Sequence, residues 1–402
     1  MKHRKVVIIH YAEIALKGAN RIYFEKQLVR NIKQAAGRDA ALEIQRLRGR
    51  LIAVCPPHIS DDDLKARLAT VFGISHFSFG VELPLEVDTI CQTAWTLVKP
   101  CSFDSFRVTT RRAQKEFPMT SVEVNQQVGG YLVERCGKKV DLKNPDLTLF
   151  IELTEQHAFV YTQKEPGLRG LPVGVSERAV SLLSSGIDSP VASYMLLKRG
   201  VKLTYVHFHS QPFTSQASQE LTEKLVEHLT RHQYYAKAYF IPFITIQKEI
   251  MANAPQALRV LLYRRYMVRL ATQVAWQEKA KALVTGESVA QVASQTLSNI
   301  RVVGEVTPLP VLRPLAGFDK DEIVARAKAI GTFEISTQPY EDCCSLFIPD
   351  NPATKSHPKA LQQAEKHLEV DDLLTAAFAA AEVKIFQFSG GSTVQVETVH
   401  EA

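Results

Sequence analysis

Apolar positions first gather in KVVIIH, residues 5 to 10, a short β-branched run that reads as a strand. Helical spacing follows over Ala19 to Ala36, and ALEIQRLRGRLIAV then predicts a strand pair turning at Gly49. The acidic run SDDD at 60 to 63 caps a second helix. After it come the strand HFSFGVEL, a helix near 86 to 98, the strand SFRVTTRR, a helix over 121 to 136, and strands to about residue 163. This first part is α+β. KEPGLRGLPVG, residues 164 to 174, is rich in glycine and proline and marks a linker or domain boundary.

Beyond it the pattern becomes regular. AVSLL (179 to 183) reads as a strand, PVASYMLLKRG (190 to 200) as a helix with Pro190 in its first turn and Gly200 past its end, and VKLTYVHFH (201 to 209) as the next strand. A helix near 216 to 232, the strand YAKAYFIPF, a long helix over 257 to 279 and the strand KALVTG extend the alternation. Such a βαβ series predicts an α/β domain whose parallel sheet is covered on both faces. TAAFAAAE near 375 to 382 reads as a packed helix.

Composition changes this picture little: 402 residues, 46% hydrophobic and 22% charged, suit a globular chain of two or three domains. Only four apolar residues run together near the start, too few for a secretory leader. No run approaches the roughly 18 residues a membrane span needs. The expectation is a cytoplasmic protein with no membrane partner and with reduced thiols.

Charge adds more. Residues 1 to 175 hold 25 Lys+Arg against 19 Asp+Glu and the rest hold 23 against 23, so the net charge of +6 lies wholly in the first part. That split fits an ordinary solvated surface, and it also fits a nucleic-acid-binding module beside a neutral catalytic one. RLRGR at 46 to 50, RVTTRRAQK at 107 to 115 and ERCGKKVDLKN at 134 to 144 offer the Lys and Arg that phosphate contacts need.

Candidate chemistry lies in two places. SSGIDS, Ser184 to Ser189, joins the first strand of the α/β part to its helix. Small residues there let backbone N–H groups approach an anion, Ser184, Ser185 and Ser189 can donate to it, Gly186 leaves room, and the helix supplies a positive dipole end. The chain contains no GxxxxGK[ST] loop, and a Ser/Gly-rich turn can also be only a turn. The second place is PYEDCCSLFIP, where Cys343 and Cys344 are adjacent and so cannot both face one core. Cys55, Cys91, Cys101 and Cys136 read as small buried hydrophobes. His207 and His209 alternate on one strand without a third ligand at useful spacing, so no metal site is assigned.

LLSSGIDSPVA resembles the SGGxDS loop of the ATP pyrophosphatases (PP-loop proteins). HYAEIALKGANR, FPMTSVEVNQQVGGYL, VDLKNPDLT, VHFHSQPFTS, TGESVAQVASQTLSNI, RPLAGFDKDEI and EDCCSLFIP together resemble, within that superfamily, the tRNA 4-thiouridine synthases, or tRNA sulfurtransferases. The resemblance implies a ferredoxin-like domain over 1–60, a tRNA-binding THUMP domain over 61–165, a linker at 166–175, and a PP-loop domain of the adenine nucleotide alpha hydrolase type over 176–402. It implies ATP with Mg²⁺, tRNA and a cysteine desulfurase or other persulfide donor as partners, a homodimer, and adenylation of a uridine O4 before sulfur replaces that oxygen.

Carried over residue by residue, the resemblance puts the essential aspartate at Asp188, the essential lysine at Lys320, and the persulfide on Cys344, with Cys343 as a resolving thiol. It puts ATP contacts at Leu182, Leu183, His207, Phe208, Arg264, Gly286 and Gln295. Phe208 and the leucines suit a core equally well. Lys320 follows Asp319, a natural N-cap for DEIVARAKAIG, where an anion would gather. Three departures stand out: Ser185 where the loop has its second glycine, Ala12 in YAE where relatives have glycine, and no cysteine after Cys344, whereas longer relatives add a rhodanese domain. Ser185 would be strained if its site needs positive φ. A role in thiamine thiazole synthesis is tied to the rhodanese part. Rival readings are another PP-loop ligase acting on tRNA without a cysteine, and a tRNA-binding protein with a decayed loop.

Overall fold

Four consecutive residues of the first strand, Val6 to Ile9, are fully buried, so that strand must be covered on both faces. The computed structural model describes residues 3–113, 117–339 and 352–400, and the chain divides into two compact units, Met1–Gly170 and Leu171–Ala402.

The first unit contains β1 (Arg4–His10), α1 (Arg21–Ala36), β2 (Ile44–Leu47), β3 (Arg50–Val54), α2 (Asp61–Leu68), β4 (His76–Leu83), α3 (Val87–Val98), β5 (Ser105–Arg112), α4 (Ser121–Cys136), β6 (Lys139–Val140), β7 (Leu147–Leu153), β8 (Ala158–Tyr161) and β9 (Glu165–Pro166). Ser60 caps α2 by accepting from the Asp63 N–H, and Thr120 with Glu123 closes a capping box on α4. One sheet runs through the unit in the order β2-β3-β1-β4-β8-β7-β5-β6, with β9 on β4. It does not break at residue 60, since β1 pairs with β3 on one side and with β4 on the other.

Period-two alternation sorts β5, β7 and β8 into two faces. Phe106, Val108, Leu149, Ile151, Ala158 and Val160 pack with α3 and α4, which leaves Arg107, Arg111, Phe150, Glu152 and Tyr161 on the opposite face. Glu152 is buried there. It accepts from Tyr161 Oη at 2.6 Å, from Arg50, and from His10 Nε2 at 3.0 Å. The His10 ring stacks on His76 with centroids 4.5 Å apart. Burial, with Arg50, Lys164 and Arg111 nearby, pulls His10 down to about 4. Burial and the neighbouring His10, Lys164 and Arg111 do the same to His76.

The glycine- and proline-rich stretch is not a free linker along its length. Glu165 and Pro166 pair with Phe77 and His76, and a Cβ on Gly167 would stand 2.3 Å from the Ile74 carbonyl oxygen. Glycine is there because two backbones meet. Cys91 is buried as expected, whereas Cys55, Cys101 and Cys136 are half-buried.

The second unit contains β10 (Arg178–Leu182), α5 (Asp188–Leu197), β11 (Lys202–His209), α6 (Ala217–Thr230), β12 (Tyr235–Pro242), α7 (Ile244–Asn253), α8 (Arg259–Gln277), β13 (Ala282–Val284), α9 (Leu297–Gly304), β14 (Val311–Leu312), α10 (Lys320–Ile330), α11 (Phe333–Ser336), α12 (Pro358–Glu365), α13 (Val370–Ala379), β15 (Glu382–Ser389) and β16 (Ser392–His400). Its sheet runs β14-β13-β10-β11-β12-β15-β16. The expected parallel sheet is present and carries an addition. β14 to β12 are parallel, but β15 and β16 add an antiparallel edge. A tight turn at Gly390 and Gly391, both at positive φ, makes that hairpin possible.

α5, α6, α10 and α11 form one layer over this sheet, and α7, α8, α9, α12 and α13 the other. The second layer is held by a buried charge network. Glu365 accepts from Arg265 Nε and Nη2 at 2.7 and 2.9 Å and from Arg269 Nη1 and Nη2 at 2.7 and 3.0 Å. Burial pushes the Glu365 carboxyl up, but these hydrogen bonds outweigh it and hold the group below its ordinary value.

Two outcomes follow. Glu365→Ala leaves the buried Arg265 only the Glu305 carboxylate, which accepts from Nη1 at 2.8 Å, and is expected to lose about 3 kcal/mol in urea unfolding, with Arg269→Ala losing less. In the first unit, between pH 6.5 and about 4 the unfolded chain binds protons that His10 and His76 refuse when folded, so stability falls as pH falls through that window. His76→Gln should make the fall shallower, read from urea midpoints across the range.

Candidate active site

β10 lies between β11 and β13, so chain order runs outward from it in one direction through β11 and β12 and jumps to the other side for β13 and β14. In open α/β sheets, loops leaving the strand ends at such a switch point diverge and leave a crevice. A cavity of about 480 Å³ opens there. Its walls include Leu182, Leu183, Ser184, Gly186, Asp188 and Ser189 from β10 and α5, and His207 and Phe208 from β11. Arg264 of α8, Gly286, Gln295 and Lys320 complete the set expected from the sequence. Ser185 is absent from these walls, and Cys343 and Cys344 lie outside the described residues.

The loop is built from its hydroxyls. Ser184 N–H donates to Ser189 Oγ at 2.9 Å, and Gly186 N–H donates to Ser184 Oγ at 3.3 Å. Ser336 Oγ donates to the Gly186 carbonyl at 3.3 Å. Ser185 turns away from the cavity: its buried Oγ meets Ser218 Oγ at 3.1 Å, tying the loop to α6. It is not among the non-glycine residues at positive φ, so the strain considered for this replacement of glycine does not arise.

His207 stands behind the loop. Its Nδ1–H donates to the Leu183 carbonyl at 3.0 Å and its Nε2 faces Ser218 Oγ at 3.4 Å. Burial lowers it to about 4, which leaves a neutral ring. Phe208 and Leu182 belong to the hydrophobic core as well as to the cavity wall. Core packing and cavity lining therefore hold together at both positions.

Backbone contact sets the width of the crevice. A Cβ on Gly286 would stand 2.7 Å from Ser189 N and 2.8 Å from Ser189 Cα. No side chain fits. The loop after β13 thus lies directly on the N-terminus of α5. Further along, Ala290 adopts a left-handed φ of 63°, which costs about 1–2 kcal/mol for a residue with a Cβ, and the next residue, Gln291, reaches back to Asp188.

The charged groups are paired. Lys320 Nζ donates to Asp188 Oδ1 at 2.6 Å, and Gln291 Nε2 donates to Oδ2 at 3.0 Å. Lys320 opens α10, whose capping box is Asp319 with Glu322. Also on the cavity lining, Arg264 Nη1 and Arg313 Nε both donate to the Glu287 carboxylate, at 2.6 and 2.7 Å. Gln295 is buried, and its Oε1 has no partner among the described residues. Such an acceptor, beside apolar walls, suits a planar ligand edge that carries an N–H donor.

Glu287, Arg313 and Gln291 were not singled out in the sequence, although TGES and RPLAGF contain the first two. Residues at the ends of β13 and β14 and on α8 meet only through the sheet order.

A parallel sheet with a serine-lined strand-to-helix loop at its switch point, a lysine at a facing helix start and a wall suited to a planar base define an adenine-nucleotide-binding α/β domain of the PP-loop type. Comparisons narrow this. The family model described as "Thiamine biosynthesis protein (ThiI)" matches residues 174–370, the "ThiI ferredoxin-like domain" matches 6–78, and the "THUMP domain" matches 86–163. The "Probable tRNA sulfurtransferase" of Moorella thermoacetica is 44% identical over 94% of this chain and 96% of its own length. That of Coxiella burnetii is 41% identical over 94% and 98%. A 4-thiouridine synthetase solved as an RNA complex with bound ATP superposes with a TM-score of 0.87 at 36% identity, covering 95% of this chain and 99% of that one. The chain belongs to the tRNA sulfurtransferase (ThiI) family.

The Gly286 contact can be tested by unfolding. Gly286→Ala is expected to destabilise by about 1–3 kcal/mol through overpacking. Ala290→Gly, which relieves the left-handed residue, should instead stabilise by about 0.5–1 kcal/mol.

Proposed function

We propose that this enzyme activates a uridine of tRNA with ATP and exchanges its O4 for sulfur, giving 4-thiouridine. The observation that carries this reading is the switch-point cavity, in which Asp188 and Lys320 meet beside the Ser184–Ser189 loop. In the first step the uridine O4 attacks the α-phosphorus, the O4–P bond forms, the bond to the bridging oxygen breaks, and pyrophosphate leaves. Gly186, Ser184 and Ser189 cradle the phosphate chain at the start of α5. Lys320 stabilises charge growing on the pyrophosphate, and it must exchange part of its contact with Asp188 to do so.

Gln295 fits the adenine edge, because the exocyclic amino group would donate to its orphaned Oε1. Leu182, Leu183 and Phe208 give that ring an apolar bed, and Arg264 and Gly286 border the ribose and phosphates. Mg²⁺ would screen the phosphates and needs few protein ligands, since it keeps waters and phosphate oxygens. Asp188 would hold it.

Sulfur chemistry falls to Cys344. Its persulfide sulfur attacks C4, the C4–O bond breaks and AMP departs. Cys343 thiolate then attacks Cys344 sulfur, which frees the thiolated base and leaves a Cys343–Cys344 disulfide for a cellular thiol reductant to reset. A cysteine desulfurase or related donor loads the persulfide in the cytoplasm. In the first unit, ferredoxin-like and THUMP parts hold the tRNA, with Arg107 and Arg111 on the face opposite α3 and α4 able to meet phosphates. The working form is a homodimer, in which one subunit presents tRNA to the other.

Protein, ATP, Mg²⁺, desulfurase with cysteine and an unmodified tRNA transcript should yield 4-thiouridine on nuclease digestion. Cys344→Ser should abolish that product yet keep tRNA-dependent pyrophosphate release, whereas product from this variant would sink the persulfide route in favour of another ligase. Lys320→Ala should lower AMP formation by about 100-fold or more, in the range of a lost transition-state donor. A chain that binds tRNA but makes no AMP would be a binding protein only.

A further inference from the structure

Glu287 is a buried carboxylate that holds two cations. Oε1 accepts from Arg264 Nη1 at 2.6 Å, while Oε2 accepts from Arg313 Nε at 2.7 Å and from Thr285 Oγ1 at 3.0 Å. All four residues line the cavity, and Glu287 itself is 6% exposed. They come from three elements: Arg264 from α8, Thr285 and Glu287 from the end of β13, and Arg313 from the end of β14. We infer that Glu287 is a positioning residue, which fixes Arg264 and Arg313 as a rigid pair facing the phosphate chain and acts on adenylation through them.

Charge explains why a carboxylate is needed. Two guanidinia facing one cavity repel each other and would swing apart toward water, and one anion between them reduces the group to a single net positive charge. Chemistry explains why donors remain. A guanidinium carries five N–H groups in a fixed fork. Glu287 takes one from each arginine and Arg313 gives another to the Val311 carbonyl at 3.3 Å, so both keep donors for phosphate oxygens.

Position explains rigidity. Glu287 follows Gly286, whose backbone abuts Ser189 at the start of α5, so the carboxylate is anchored to the serine loop. Both Glu287 and Asp188 have donors on each oxygen, but the Glu287 side chain is 8% exposed against 22% for Asp188, and this deeper burial separates its role from that of Asp188. Donors held still before charge develops lower a barrier more than they tighten substrate binding.

The inference rests on the adenylation reading above, and the wild-type enzyme separates the two. If wild type releases no pyrophosphate from ATP with tRNA, the proposed function fails. If it does, Glu287→Gln should lower kcat for pyrophosphate release about 10- to 100-fold while the KM for ATP moves less than about threefold, the pattern of a contact made in the transition state. Glu287→Asp should recover part of the loss. In the Glu287→Gln/Arg313→Lys pair the losses should not multiply, because both act through one unit. A wild-type kcat in Glu287→Gln, a change in KM alone, or fully multiplicative losses would overturn the inference. Should Glu287→Gln fail to give a native circular dichroism spectrum, Arg313→Lys alone decides. It keeps the charge and removes the fork, and an unchanged kcat in it overturns the proposal equally.

Discussion

The second unit depends on one close approach, that of the Gly286 backbone to the first turn of α5. Parallel strands β10 and β13 are neighbours in the sheet, and loops leaving neighbouring strands at a switch point would ordinarily part. Here they touch so tightly that no Cβ fits between them. The serine loop and the loop carrying Glu287, Gln291 and Gln295 therefore form one continuous wall, and apolar residues of β10, β11 and α8 line the same cavity. Without this contact the cavity would be two surfaces with no fixed distance between them, and a nucleotide needs both of its ends held at once.

Electrostatics follow from that wall. Each carboxylate facing the cavity is matched with cations: Asp188 with Lys320, and Glu287 with Arg264 and Arg313. The two pairings differ in exposure. The Lys320 side chain is 49% exposed and that of Asp188 is 22%, while Glu287 is 8%. An exposed pair is worth little and exchanges partners at little cost, whereas a buried one resists breaking because a lone charge would remain. The half-exposed pair therefore suits groups that must let go of each other when phosphates and a cation arrive. The buried triad suits groups that must not move.

Much of this was legible in local signals. Small residues in SSGIDS, Asp319 before DEIVARAKAIG, and the strand–helix alternation after residue 178 are each short-range features, and the structure has the corresponding loop, cap and α/β unit. Long-range features were not legible. Arg264, Glu287 and Arg313 are separated by 23 and 26 residues, and only sheet order brings them together. Glycine and proline at 164 to 174 read as a linker or domain boundary, and the chain does divide at Gly170, but the same residues also permit backbones to meet, as at Gly167 against Ile74. The β15–β16 hairpin does alternate in sequence, but it follows a helix-forming alanine run and breaks the βαβ rhythm that guided the reading.

Ser185 shows how a departure from a motif can be neutral for shape and still change what supports it. Glycine would leave this corner to backbone alone. Serine instead adds a hydroxyl that continues a chain from Ser185 to Ser218 and on to the neutral His207 ring, itself bonded to the Leu183 carbonyl. Each member can satisfy its neighbour without a net charge, so the support costs little to bury. Because burial keeps His207 uncharged, no cation competes behind the loop for the phosphates in front of it. The positive potential of the cavity comes from the start of α5, from Lys320 and from the clamped arginines, all on the side the nucleotide would occupy, and that one-sidedness gives an anion a single orientation in which to bind.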